Sequence, residues 1–499
     1  MKKIRLTFIL ICLLGWSACE DELDQKPISA STTANFYRNA DDFEQAVNGV
    51  YNALRGYPNR AFYLSENRSD NTYGVGSAGV RDWEPINNFH NTISSNPFLN
   101  TAWVDNYLGI FRANTVLEAL NPDKVPDAAT RAQLEGESRF LRAFFYFDLV
   151  RLFGKIPLID HVVTPIEVLD IKRTAVAEIY DLIISDLELA ITLLPDSYAS
   201  AGDKGRATSH AARGILARVY LTRSGPTYGI EGPGMETNEY SKALTLLDQI
   251  IAGGKYSFLS DYASIFSYDN ENNAEVIFDI QYEKGQLGIG ASYPGDFGPQ
   301  NYFASIGLPF AIGLEILPTS NDLLNLYSTD DVRKAFTHQL GYTTATGAVE
   351  PRAFERKWIE DNGYGGDRFD WPINFIILRY TDVLMMKAEC ILQGASGTQQ
   401  EVDDIVNDVR ARAGEVSSVS NVTLDMLLAE RRKEFAGECS RWHDLVRTGK
   451  AITTMTAFDA VEDVSNQMSI PTNEMIIYPI PTSQLNVKIG LYEQNPGYN

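Results

Sequence analysis

Flat rings beside planar polar side chains are the most abundant chemistry in this chain, which holds 6 Trp, 25 Tyr and 24 Phe. Trp83 stands among Asp70, Asn71, Tyr73, Arg81, Asp82 and Asn87 in a stretch without helical or strand periodicity, and Trp358 and Trp371 stand in another. A third such stretch supplies Tyr293, Phe297 and Tyr302. An aromatic face packs against the C–H groups of a pyranose, while carboxylate, amide and guanidinium groups bond its hydroxyls. The grouping makes Asp70, Asn71, Tyr73, Arg81, Trp83, Tyr293, Trp358 and Trp371 the candidates for holding a ligand by contact. For each ring the competing role is to pack its own loop onto a scaffold.

Other chemistries fail on spacing or context. His443 lies beside Asp444 in Arg441-Trp-His-Asp444, but helical neighbours point about 100° apart and no Ser or Cys nucleophile is implicated nearby, so the block reads as scaffold. Gly74-Val-Gly76-Ser-Ala-Gly79 fits G-x-G-x-x-G, yet the residues before it form no strand, and the dinucleotide reading falls. Five scattered histidines include no H-E-x-x-H. Asp361-Asn-Gly-Tyr-Gly-Gly-Asp367 offers oxygen ligands in a turn without the spacing of a known calcium loop. Among 65 acidic residues, pairs suited to glycoside hydrolysis can always be drawn, so they discriminate nothing. No catalytic residue, metal site or cofactor is expected.

Lys2, Lys3 and Arg5 lead into an apolar stretch from Leu6 to Trp16, too short to span a bilayer, and residues 1–18 read as a cleaved signal peptide. Ser17 and Ala18 before Cys19 resemble a lipobox, although Trp16 stands where Leu is usual. Cys19 is the expected lipidation site, and residues 19–30, with Glu20, Asp21, Glu22 and Asp24, a flexible tether. The chain has 43 basic and 65 acidic residues, a net charge of −22, and loss of the signal takes three bases and no acid, leaving −25. Such a surface repels nucleic acid and anionic lipid. Cys390 and Cys439 fall in helical patterns and read as buried thiols.

Apolar residues at helical spacing predict helices near 43–54, 103–117, 138–153, 176–194, 208–223, 239–252, 374–393, 401–412 and 423–447. From Ser138 to Phe153 the pattern is apolar on nearly every side, as in a helix at the centre of a large domain. Val276 to Ile280 and Met475 to Tyr478 are short runs that suit local strand pairing. Irregular stretches near 56–100, 224–236, 283–318 and 341–373 are long enough to carry function. The expected fold class is all-α dominated with minor β, one domain over 31–499 whose parts, 31–223 and 224–499, intertwine.

Several blocks, in order, resemble the SusD/RagB family of Bacteroidetes outer-membrane lipoproteins. They are Gly136-Glu-Ser-Arg-Phe-Leu-Arg-Ala-Phe-Phe-Tyr-Phe-Asp-Leu-Val-Arg-Leu-Phe-Gly-Lys-Ile-Pro157, Arg206-Ala-Thr208, Gly254-Lys-Tyr256 with Asp261-Tyr262, and Leu378 to Glu389. The series continues through Glu430-Arg-Arg-Lys-Glu-Phe435 with Arg441-Trp-His-Asp-Leu445, then Tyr478-Pro-Ile-Pro481 with Asn495-Pro-Gly-Tyr498. Lys488-Ile489 departs from the usual Asn-Pro type spacer. The resemblance implies tetratricopeptide-like helix pairs with a loop-rich lobe, although no 34-residue consensus is visible here. It also implies an oligosaccharide or peptide ligand, a SusC-type TonB-dependent barrel as partner, and a lipid-anchored, surface-exposed place on the outer membrane. The acidic run after Cys19 resembles the family's surface-export signal. The expected function is capture of a glycan for import, without chemistry; the alternatives are a peptide-binding member and a surface glycosidase. Ligand contacts in this family vary with the ligand, so none transfers by motif.

Overall fold

Side chains that can accept a hydrogen bond stand just ahead of the apolar runs and fix where the helices begin. The computed structural model describes residues 36–74, 82–308 and 315–499. Asn39 caps α1 (Ala40–Asn52), Asn96 with Pro97 starts α2 (Pro97–Ala119), and Asp127 caps α3 (Ala128–Phe153). There follow α4 (Val176–Leu193), α5 (Ser209–Ser224), capped by Thr208, and α6 (Tyr240–Ala252). After a long excursion come α7 (Tyr380–Leu392) and α8 (Gln399–Arg412), the latter opened by a Thr398–Glu401 capping box. The chain then forms α9 (Leu424–Phe435), α10 (Arg441–Arg447) and α11 (Ala451–Glu462).

From α2 to α9 each helix packs on the next in the chain, and α1 covers α2 and α3. This is the tetratricopeptide-like stack of an all-α fold with minor β. α3 is buried from Gly136 to Phe153 apart from one position, Arg139, because α1, α2, α4 and α5 all contact it. That crowding explains its apolar residues on every side.

Residues 253–379 are inserted between α6 and α7, which still pack directly on one another. The insertion closes at its base with an antiparallel ribbon of β1 (Val276–Ile280) and β2 (Phe375–Arg379), in register Ile280↔Phe375 and Val276↔Arg379. The ribbon lies on the stack: Phe278 meets Phe140 edge to face at 4.9 Å. Leu378 presses so close to α5 that a Cβ on Gly214 would lie 2.2 Å from it.

Four expectations are corrected. Residues 374–379 form β2 rather than the start of a helix, because Phe375, Ile376 and Leu378 are buried in a ribbon with a distant partner that periodicity does not reveal. The run 276–280 is a strand, but its pairing is long-range, not local. Met475–Tyr478 forms no strand; Asn473–Ile476 is a 3₁₀ turn, and Tyr478 instead bonds the carbonyls of Leu152 and Leu64. The helix expected over 423–447 is two, broken at Gly437, whose φ of 79° and close approach to Glu355 exclude a side chain. The break frees the Gly437 N–H to donate to Glu66 and its carbonyl to accept from Trp358. Cys390 and Cys439 are buried free thiols, as expected.

Lobe and stack are joined by buried ions. The Glu434 carboxylate on α9 accepts from Arg333 (3.0 Å) and Arg379 (2.8 Å) of the insertion and from Arg412 at the end of α8. Arg379 also reaches Glu438 at 2.9 Å and Glu275, beside β1, at 3.4 Å. Lys357 pairs with Glu438 at 2.9 Å. Burial alone would raise the Glu434 pKa, but Arg412, Arg379 and Arg333 outweigh it and hold the carboxyl well below the usual range. The whole block Glu430-Arg-Arg-Lys-Glu434 is used this way: Glu430 meets Arg333, Arg431 meets Asp382 and Asp444, Arg432 meets Asp70, and Lys433 meets Glu415. Arg139 and Arg142 likewise converge on Asp186, and Asp148 takes Arg151 and Arg60.

Two stability measurements follow from these ions. Glu434→Ala strands three buried guanidinium groups and is expected to cost about 3–5 kcal/mol in urea unfolding, whereas cutting the exposed Lys488–Asp170 pair with Lys488→Ala leaves the midpoint unchanged. Glu355 runs the other way. Burial, with Glu66 and Glu438 nearby, raises its pKa to about 8 against the pull of Lys357. A carboxyl raised in the folded state stabilises it below the unfolded pKa and loses that contribution as pH rises towards 8. Stability is therefore expected to fall between about pH 4.5 and 8, and Glu355→Gln to flatten that slope; an unchanged slope in urea titrations at pH 5, 6.5 and 8 refutes the assignment.

Candidate ligand-binding face

The rings picked out by the sequence form the interior of the lobe. Tyr293 and Trp371 are 0% exposed and Trp358 is 1% exposed. Trp358 packs on Phe375 (5.0 Å), Phe266 (5.3 Å) and Tyr293 (5.8 Å), and Trp371 on Tyr364 (5.7 Å) and Phe303 (6.2 Å). Their polar atoms are occupied: Trp358 Nε1 donates to Gly437 O, Trp371 Nε1 to Arg368 O, and the Tyr293 hydroxyl to Ile373 O. Trp83 is buried and stacks on Tyr63, 12° from parallel.

The polar candidates are committed as well. Asp70 takes both ends of Arg441 at 2.8 Å and Arg432 at 3.2 Å; burial opposes its ionisation, but the two guanidiniums pull its pKa down to about 2. Asn71 bridges Glu66 and Arg432. Tyr73, half-buried, donates to Asp463 at 2.8 Å. Arg81 and Cys19 lie outside the described residues. The expectation of ligand contact is thus corrected for Asp70, Asn71, Trp83, Tyr293, Trp358 and Trp371, which offer no face to a solute. The reason is physical: a lobe with little regular structure must bury its surface with large flat side chains.

Two outward patches on the lobe carry the same kinds of group. In the first, the half-exposed Tyr342 meets Tyr302 edge to face at 5.4 Å; the Tyr302 hydroxyl donates to Asp361 at 2.7 Å, and Arg356 reaches the same carboxylate at 3.0 Å. Arg352 and Glu350 form a two-point pair at 2.8 Å beside Tyr342. Burial and Glu350 push the Tyr342 phenol up to about 12, so it remains a neutral donor. A short ribbon, Tyr342–Thr343 with Val349–Glu350, presents this patch, and the isolated bridges Thr72↔Thr319 and Pro318↔Phe354 join neighbouring segments.

The second patch is Phe369, 46% exposed, with the Arg368 guanidinium 4.3 Å from its ring centre, and Leu287, 63% exposed. Asp370 joins the two loops by accepting N–H bonds from Gly285, Gln286 and Gly366. Tyr342, Arg352, Arg356 and Phe369 were not singled out in the sequence; only their place in a long irregular stretch pointed to them. Asp361, considered there as a cation ligand, serves Tyr302 and Arg356, and the described residues hold no cluster of three or more His, Cys, Asp or Glu suited to a metal.

The Arg441–Asp444 block is scaffold, as expected. Asp444 accepts from Arg431 and Arg447, and burial with Arg151, Arg218 and Arg447 holds His443 well below the usual histidine range. Nearby Cys439 is no nucleophile, since burial and then Glu66, Glu355 and Glu438 push its thiol far up.

Residues 21–221 match a SusD-like family model described as "Starch-binding associating with outer membrane", and residues 353–498 match the SusD family model. SusD-like protein P25 of Formosa agariphila is 26% identical over the whole of both chains. A solved laminarin binding SusD-like protein is 27% identical, with TM-score 0.76 over 93% of this chain and 100% of that one. Surface glycan-binding protein A from Bacteroides fluxus shares the fold with TM-score 0.80 at 24% identity, over 92% of this chain and 100% of that one. With its helix stack, its inserted lobe and matches to both models over more than half its length, the chain belongs to the SusD/RagB family.

Proposed function

We propose that this protein captures a neutral oligosaccharide at the cell surface and passes it, chemically unchanged, to a TonB-dependent barrel of the outer membrane. The observation that carries this reading is the similarity, along nearly the whole chain, to a relative named for binding laminarin. A net charge of −22 favours a neutral glycan over a uronate or sulfated one, because an acidic surface repels polyanions. The patches at Tyr342 and Phe369 supply rings for the sugar faces and planar polar groups for the hydroxyls.

No helix among the described residues is long and apolar enough to cross a membrane. Attachment in this reading comes from acyl chains on Cys19, with residues 19–30 as the tether. One chain holds only marginally, so more than one is needed. A shallow platform gives affinities near micromolar to millimolar, roughly −8 to −4 kcal/mol. Weak capture suits delivery, since the tether keeps the ligand concentrated at the pore while allowing its release.

Calorimetry with laminarin oligosaccharides is expected to show binding that Tyr342→Ala and Phe369→Ala each weaken by about fivefold or more, on the order of 1 kcal/mol, with no change in melting temperature. Parent-like affinity in both variants places the site elsewhere, and new reducing ends after incubation mark an enzyme instead. Cys19→Ala is expected to shift the protein from the membrane fraction to the soluble one; a variant that stays membrane-bound removes the lipid anchor from the account.

A further inference from the structure

A cavity of about 40 Å³ lies where β2 of the lobe meets the stack, walled by α3, α5, α7, α9 and α10, and none of the outward lobe groups lines it. Its charged lining is unbalanced. Arg151, Arg218, Arg379, Arg431 and Arg447 line it, and against these five cations stand only Asp382, Glu438 and Asp444. Further carboxylates pair with some of these arginines, Asp148 with Arg151 and Glu389 with Arg447, but neither lines the cavity. An interior pocket in a chain of net charge −22 thus carries an excess of positive charge.

Several donors around it end in no bond. Arg151, 6% exposed, spends Nε on the Phe147 carbonyl and Nη2 on Asp148, which leaves Nη1. Arg218 uses only Nη2, on the Ile377 carbonyl at 3.0 Å and on Asp382 at 2.6 Å. Neither the Ser440 hydroxyl nor either ring nitrogen of His443 has a partner among the described residues, although both side chains line the cavity. Burial and then Arg151, Arg218 and Arg447 keep the imidazole neutral, with no carboxylate to counter them. Water satisfies such donors but leaves the surplus charge uncompensated in a dry interior, where an unpaired ion is costly. An anion answers both needs. The space admits about three water-sized atoms, too little for tetrahedral phosphate or sulfate and enough for a halide.

We infer that this cavity binds one small monovalent anion of the size of chloride, held by Arg151, Arg218, Ser440 and His443, and that the ion helps to seat β2 on the stack. The site does not depend on which ligand the lobe carries. The test soaks crystals of the protein in sodium bromide and locates the ion by anomalous scattering at the bromine edge. A peak is expected in the cavity, within hydrogen-bond reach of Arg151 and Arg218. In Arg218→Gln, which leaves Asp382 its bond to Arg431, the peak is expected to weaken by about fivefold or more, as loss of a charge-assisted bond implies. In solution, sodium chloride is expected to raise the melting temperature over sodium gluconate at equal ionic strength, gluconate being too large to enter, and Arg218→Gln to shrink that difference. Density that refines as water alone overturns the inference, as does a peak undiminished in the variant. A peak without chloride-specific stabilisation means binding at crystal concentration only, and overturns it too. Should Arg218→Gln fail to fold, the parent's bromide map and melting curves decide.

Discussion

One carboxylate, Glu434, holds the architecture together. Its three arginines come from a short lobe helix, the end of β2 and the end of α8, so a single buried anion ties an irregular insertion to a regular stack. Burying charge is expensive unless every partner is present. Each correct contact therefore depends on the others, and a misplaced lobe leaves ions stranded in the interior. The helices supply area; the ions supply the registration of lobe on stack.

The same principle explains what occupies the charged groups of the recognisable sequence blocks. Arg431 pairs with Asp382 and Asp444, Arg432 and Arg441 reach back to Asp70, and Glu434 takes Arg379, across separations from about a dozen to several hundred residues. Their types are constrained by mutual neutralisation, which is why they read as a motif. The outward groups at Tyr342 and Phe369 answer to no such constraint and leave no motif behind.

Helices with one clear apolar stripe, such as α1, α4 and α6, were legible within a few residues, because the 3.6 period reports a face without reference to any partner. The stacking order was not legible: the pairs share a shape, while their contact residues differ. β2 escaped because a run buried among other elements resembles a helix segment until its partner, about a hundred residues earlier, is known. For the site, the long irregular stretches pointed to the lobe, but composition could not tell an inward ring from an outward one. Trp358 and Trp371 have the same neighbours in sequence as a binding residue would, and only burial separates the two roles.

The insertion between α6 and α7 has a consequence for how such proteins diversify. The chain leaves the stack and returns to it at adjoining points, closed by the β1–β2 ribbon and the Arg379–Glu275 pair. Closing a longer loop adds entropy cost only logarithmically, so the helices are nearly indifferent to how much polypeptide hangs between those points. Under the proposed reading, ligand selectivity is then a replaceable cassette: one frame acquires a new specificity by exchanging the insert while keeping its clasp.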